Sequence, residues 1–448
     1  MSYRLYALYR HTERIKQWFS SRFTDIGKLF LPIIGVAFLF GINIQRTMMY
    51  QIFSIVVSLL FFAFLSSLRS RIHLNIIRNL PETCVAGTEI RYTIQIENRG
   101  GRNEKCIFYC EDPAEPFPTW QEFSSAKEEG EEARNLFDRK MAYYRWLWLL
   151  GINRRIESRD QELPELTSKK NTILEISLLP LRRGNVHLSG YRLTYIDPLG
   201  LCKRQIKYES PCNILVLPKL YSVPMIVFPG SRKYHQGGIV AAQNCGDSNE
   251  FLSLREYIHG DAIKHIDWKS TARAGKTIVK QYRDEYFCRY GLILDSFVSK
   301  SYSKAFEEAV SIAASIMMTQ DSEHSVLDLF FVGSECVTCT VGRGLADRQH
   351  MMTIFASVTP CRDKSFTEMT DLVKNHSALL SGIILILIDI DEQRNELINY
   401  LAKNNIPAKL IIIIENREEY EAKKQKMKIE APLREIDLDH LEEQIALL

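Results

Sequence analysis

Carboxylates and imidazoles crowd one stretch of this chain, where Glu250, Glu256, Asp261 and Asp267 alternate with His259 and His265. Such groups act as general acid, general base or metal ligand when neighbours pull their pKa values apart. A metal- or carboxylate-dependent hydrolase using Glu250 to Asp267 is therefore one expectation. Against it, neither H-E-x-x-H, G-x-S-x-G nor a Cys-His signature accompanies these residues. The same stretch carries cations in step with its acids: Arg255, Lys264, Lys269 and Arg273 run with Glu256, Asp261 and Asp267, and Tyr257, Gly260 and Trp268 punctuate them. If partly buried, such charges must satisfy one another, because an unpaired buried charge is costly. These ten residues are thus read as an interdomain clasp or a partner-binding surface, and the sequence leaves both open.

Other chemistry is scarce. No G-x-x-x-x-G-K-S/T loop or dinucleotide fingerprint occurs, and Gly342-Arg343-Gly344 reads as a lone turn. Ten cysteines are spread thinly through 448 residues, unlike a secreted disulfide framework, and are read as reduced thiols. Cys336 and Cys339 fall in an apparent strand, where a three-residue offset sends side chains to opposite faces. No second pair follows to complete a metal site. A net charge of +3 with acids and bases interspersed gives no basic stripe for phosphates, so nucleic acid is not an expected partner.

A chain this long exceeds one hydrophobic core. Two apolar runs, Leu29 to Ile44 and Met48 to Leu68, are separated only by Gln45, Arg46 and Thr47. The second is long enough for a hydrocarbon core and the first is marginal alone, which together predict a transmembrane helical hairpin at 29–68. Arg4, Arg10, Arg14, Lys16, Arg22 and Lys28 precede it in a basic segment (1–28), and Arg69, Arg71 and Arg78 follow it. By the positive-inside bias both ends are expected in the cytoplasm, which makes this an expected multi-pass membrane protein.

From 72 to 218 short alternating strands punctuated by Gly, Pro and Asn predict a β-sandwich-like module. A charged, helix-favouring insertion interrupts it at about 120–170, with Phe137, Met141, Tyr144 and Trp148 on one helical face. Residues 219–289 read as a linker holding the charged run. From 290 to 448, strand and helix patterns alternate in the manner of a mainly parallel sheet. Asp295 and Asp389 stand at the carboxyl ends of two such strands, where open α/β sheets bind ligands.

The run from Gly246-Asp247-Ser248-Asn249-Glu250 through Arg255-Glu256-Tyr257-Ile258-His259-Gly260-Asp261 and Ile266-Asp267-Trp268-Lys269-Ser270-Thr271-Ala272-Arg273 to Glu285 resembles a bacterial family, domain of unknown function 58. Pro180-Leu181-Arg182-Arg183-Gly184, Asp197-Pro198-Leu199-Gly200-Leu201 and Val216-Leu217-Pro218 match it upstream. The resemblance implies a C-terminal domain like von Willebrand factor A and a MoxR-type AAA+ ATPase as partner. It also implies a Mg²⁺ site of the D-x-S-x-S type, here Asp295, Ser299 and Asp389, with Phe297 in place of the middle serine. Lys264 departs from the family's usual arginine and loses its bidentate fork.

The expected whole is multidomain: a transmembrane helical hairpin, a β-sandwich-like module and a C-terminal α/β von Willebrand factor A-like domain. The expected function is a non-enzymatic adaptor joining the lipid bilayer to the ATPase, with no cofactor or a weakly bound Mg²⁺ at the degenerate site.

Overall fold

The computed structural model describes residues 3–41, 47–69, 73–128, 130–226, 228, 234–235, 251–282, 286–298, 300, 302–320, 325–333, 336–341, 345–427 and 432–447. The chain forms two units, Met1–Lys219 with Lys300–Tyr302, and Leu220–Ser299 with Ser303–Leu448.

The first unit begins with helices α1 (Tyr3–Arg22), α2 (Asp25–Gly41) and α3 (Thr47–Arg69). Within α3, Tyr50–Ser67 is long and apolar enough to cross a membrane, and Ile55, Phe61 and Phe62 are among its exposed apolar side chains. Helix α2 is shorter, contains Pro32 and does not pass the same test. Among the described residues one helix, rather than the expected pair, is long and apolar enough to cross a membrane; most of the expected link, at 42–46, lies outside them. Phe38 of α2 and Phe53 of α3 meet with ring centroids 5.9 Å apart.

Strands β1 (Leu74–Asn79), β2 (Thr83–Val85), β3 (Ile90–Asn98) and β4 (Ile107–Pro113) precede the insertion, and β5 (Ile156–Glu157), β6 (Gln161–Glu162), β7 (Asn171–Pro180), β8 (Gly184–Ile196) and β9 (Lys203–Leu217) follow it. They form two sheets, β1-β3-β7-β5 and β2-β9-β8-β4-β6. Alternation does the sorting: Tyr92, Ile94 and Ile96 of β3 point inward and join Ile107, Tyr109, Leu193 and Ile214 of the other sheet in one core. Strand β8 runs without a break from Gly184 to Ile196, with a register shift between Leu188 and Gly190.

The Asp197-Pro198-Leu199-Gly200-Leu201 stretch seats the helices on this module. Asp197 folds the turn by accepting from the amides of Leu199 at 2.8 Å and Leu201 at 2.9 Å. The turn's carbonyls then receive Thr24, whose hydroxyl donates to Gly200 at 2.6 Å and whose amide donates to Leu201 at 3.1 Å. Gly27 comes so close that a Cβ there would lie 2.0 Å from the Leu201 oxygen.

The insertion holds α4 (Trp120–Ser125), α5 (Leu136–Met141) and α6 (Tyr143–Asn153). Ala142, at φ +52°, breaks the helical face expected for Phe137, Met141, Tyr144 and Trp148. Arg145, Trp146 and Leu149 are buried instead, while Phe137 and Tyr144 are exposed. Helix α1 covers this insertion: Tyr6 and Tyr9 pack on Phe123 and Trp146, and their hydroxyls donate to the carbonyls of Pro118 and Met141.

In the second unit β11 (Phe251–Glu256) and β12 (Ile278–Tyr282) pair antiparallel around helix α7 (Trp268–Ala274), and β10 (Tyr234–His235) pairs with the start of β13 (Tyr286–Leu294). Helix α8 (Lys304–Thr319), strands β14 (Ser325–Val332) and β15 (Cys336–Val341), helices α9 (Leu345–Ser357) and α10 (Thr367–His376), and strand β16 (Gly382–Leu387) come next. Helix α11 (Glu392–Lys403), strand β17 (Ala408–Ile414), helix α12 (Arg417–Met427), strand β18 (Leu433–Asp437) and helix α13 (Leu441–Ile445) complete it. The main sheet runs β15-β14-β13-β16-β17-β18, parallel except for β15. Every residue of β16 is buried, as a parallel strand covered on both faces requires. Chain order reverses between β13 and β16, which makes their carboxyl ends the switch point.

Candidate functional site

Two places in the second unit hold the residues singled out in the sequence. The first is the β11–β12 hairpin. Arg255 grips Asp261 with both terminal nitrogens at 2.7 Å, and the Ile258 amide adds a bond of 2.9 Å to the same carboxylate. That geometry needs a tight return of the chain, which Gly260 makes at φ +112°. Arg255, and then the Ile258 amide, holds the Asp261 carboxyl at about 2, below its ordinary range. Asp267 caps α7, accepting from the Lys269 amide at 3.2 Å and the Ser270 hydroxyl at 3.1 Å. Glu256 pairs with Lys276 at 3.0 Å.

The rest of the run faces outward. Trp268 is 67% exposed, Ile263 71% and Ile258 64%. Lys264, Lys269 and Arg273 are also exposed, and Tyr257 is half-buried. Glu250 lies outside the described residues. The carboxylates of Asp261 and Asp267 are engaged by a guanidinium and a helix cap, not gathered around a common reacting point. Among the described residues no three His, Cys, Asp or Glu side chains converge on a metal position.

The second place is the switch point. Asp295, following β13, is wholly buried, and Arg394 of α11 reaches it with Nε to Oδ2 at 2.7 Å and Nη2 to Oδ1 at 3.1 Å. The amides of Phe297 and Ile388 donate to the same carboxylate at 3.1 and 3.3 Å. Desolvation pushes Asp295 upward against the pull of Arg394. Burial also disfavours the charged Arg394, yet Asp295, with Asp391 and Asp389, holds it above the ordinary arginine value. Phe297 packs edge-on against Phe366 at 5.3 Å. Ser296 spends its hydroxyl on the Val332 carbonyl at 2.5 Å. Asp389 lies apart from Arg394's hydrogen bonds and takes Lys423 at 2.8 and 3.0 Å. Ser299 and Ser301 lie outside the described residues.

A third cluster, in the first unit, has no sequence signature. Glu111, fully buried in the sandwich, receives Arg78 at 2.5 Å, Tyr92 at 2.6 Å and Tyr109 at 2.5 Å. Burial, and then the nearby carboxylate, pushes both tyrosine hydroxyls far above their usual range. They remain donors, and the cluster is a closed structural network. A cleft of about 580 Å³ in the insertion is lined by charged side chains including Lys127, Glu132, Arg139 and Lys140. It contains none of the residues predicted for a site.

Sandwich, apolar helix and α/β sheet define a multidomain protein of mixed helices and sheets. Residues 253–383, which run from β11 to the start of β16 and include Asp295, match the family model described as Protein of unknown function DUF58. The chain is 25% identical over 186 residues to the Uncharacterized protein YeaD of Bacillus subtilis (strain 168), covering 41% of this chain and 45% of that one. The match thus spans less than half the length of that relative. Among solved structures, the CARDB domain of the PF1109 protein from Pyrococcus furiosus, in complex with di-metal ions, aligns with 32% of this chain and 93% of its own at 10% identity and a TM-score of 0.16. A mutant Salmonella alpha-2-macroglobulin aligns with 36% of this chain and 8% of its own at 11% identity and a TM-score of 0.17.

Proposed function

We propose that this chain is a membrane-anchored, non-enzymatic adaptor that presents its second unit, a von Willebrand factor A-like domain, to a MoxR-type AAA+ ATPase at the cytoplasmic face of the inner membrane. The observation that carries the reading is the hairpin: its framework is closed by Arg255 and Asp261, while Trp268, Ile258 and Ile263 stand exposed beside Lys264, Lys269 and Arg273. A rigid frame bearing an exposed aromatic and a basic rim suits protein recognition, where aromatic anchors contribute most of the energy. The mainly parallel strand order, with β15 antiparallel at one edge, favours the von Willebrand factor A-like assignment.

For the anchor, α2 serves as the short arm of a hairpin with α3. Its 17 residues extend about 25 Å at 1.5 Å each. The Lys/Arg excess outside the pair favours cytoplasmic ends. The hydrolase alternative has less support, because Asp261 and Asp267 are committed to Arg255 and to the cap of α7. Crosslinking in native membranes followed by affinity capture of the full chain tests the adaptor: an AAA+ ATPase should be recovered, and recovery should fall for Trp268→Ala. Repeated capture without any AAA+ protein counts against it.

A further inference from the structure

The carboxyl edge of β13 and β16 is where the resemblance places a divalent cation, and the Asp295 carboxylate there is already saturated. Each oxygen of Asp295 accepts two donors: Oδ1 from the Phe297 amide and Arg394 Nη2, Oδ2 from the Ile388 amide and Arg394 Nε. A carboxylate offers about four lone-pair positions, so a metal could bind Asp295 only by displacing Arg394. Arg394 is itself held on every side. Its Nη1 donates to Asp391, its Nη2 also donates to the Phe297 carbonyl at 3.2 Å, and its guanidinium carbon lies 4.9 Å from the centre of the Phe366 ring. Asp391 in turn accepts from the Arg394 amide at 2.8 Å, capping α11 and fixing the start of the helix that carries the guanidinium. Of the other two candidate ligands, Asp389 is neutralised by Lys423 and Ser299 lies outside the described residues.

We infer that the Arg394 guanidinium is a built-in cation standing where a divalent ion would sit, so that this edge of the sheet is closed without metal and takes no Mg²⁺ or Mn²⁺. Phe297 follows from the same design, since its ring packs with Phe366 beside the guanidinium where a hydroxyl ligand would have served an ion. An arginine suits the position better than a lysine, because its planar fork satisfies both carboxylate oxygens at once and keeps its charge when buried. The pairing holds whatever partner the hairpin takes, and its test requires no partner.

Titration of the purified full chain with Mn²⁺, followed by electron paramagnetic resonance, decides the matter, with melting midpoints recorded in EDTA and in Mg²⁺. The expected result is no saturable submillimolar Mn²⁺ binding at this edge and equal midpoints in both buffers. Arg394→Ala should lower the midpoint by several degrees. Saturable Mn²⁺ binding that disappears in Asp295→Asn would overturn the inference; if that variant does not fold, loss of binding in the more exposed Asp389→Asn overturns it equally. Mn²⁺ binding that survives both substitutions lies elsewhere and leaves the internal cation standing. An unchanged midpoint in Arg394→Ala would also count against it.

Discussion

Arg394 and Arg255 each hold an aspartate through two nitrogen–oxygen contacts, but their surroundings differ. Asp295 is wholly buried and Arg394 nearly so, whereas about a quarter of the Arg255 side chain meets solvent. The first pair joins residues 99 apart and ties α11 to the end of β13; the second spans 6 and stiffens one hairpin. A buried pair is costly to desolvate and costlier still to break, because the surviving charge cannot recover its water. An exposed pair contributes little energy and can shape a loop without determining whether the domain folds. The same two residue types thus act as a structural lock at the sheet edge and as a local brace on the hairpin.

The comparison breaks first at its stronger member. Arg394→Ala should destabilise the second unit by about 3–5 kcal/mol, since it strands Asp295 in the core. Arg78→Ala should cost the first unit a similar amount by stranding Glu111. Denaturation of the full chain, followed separately for each unit, checks both. A loss below about 1 kcal/mol at either site would mean that the surviving carboxylate is reached by water.

The hairpin brace should instead reveal itself through pH. The folded-state value of Asp261 is depressed to about 2 from an ordinary 3.8. Its contribution is therefore fully present above the ordinary value and lost as pH falls through about 2. Hydrogen-exchange protection of the Ile258 amide, which donates to Asp261, should hold above pH 4 and decline between about 4 and 2, while protection within β16 follows global unfolding. Protection of Ile258 unchanged across that window would show that the brace does not order the loop.

The sheet that carries Asp295 was legible because buried parallel strands leave continuous apolar runs: Ile383 to Leu387 announces itself, and Ser325–Val332 stands where its pattern places it. The partners of Asp295 were not. Arg394 lies on an amphipathic helix among other polar residues, and only the folded sheet brings it back. The charged run from Arg255 to Arg273 was visible as a cluster, yet its division into a brace, a cap and an exposed face depends on the turn at Gly260 and on α7. Neither has a hydrophobic period. Helix α1 reads in the sequence only as part of the basic segment 1–28, because Tyr6 and Tyr9 acquire meaning only against Phe123 and Trp146, more than a hundred residues away. The insertion misled in the opposite direction, since an apolar stripe across 137–148 presumes a continuous helix and Ala142 interrupts it.

The smallest expected change in stability is also the most informative for function. Trp268 is 67% exposed at the start of α7, and neither the cap nor the Arg255–Asp261 brace uses its side chain. Trp268→Ala should shift unfolding by no more than about 0.5 kcal/mol, as surface substitutions away from caps and cores do. An aromatic anchor at the centre of an interface costs about 2 kcal/mol or more of binding when truncated. The adaptor reading therefore predicts separation of the two measurements, with an unchanged melt and a drop of roughly thirtyfold in affinity for the captured ATPase. A variant that loses several degrees in its melt places Trp268 against another part of the protein. One that loses neither stability nor partner removes this face of the hairpin from recognition.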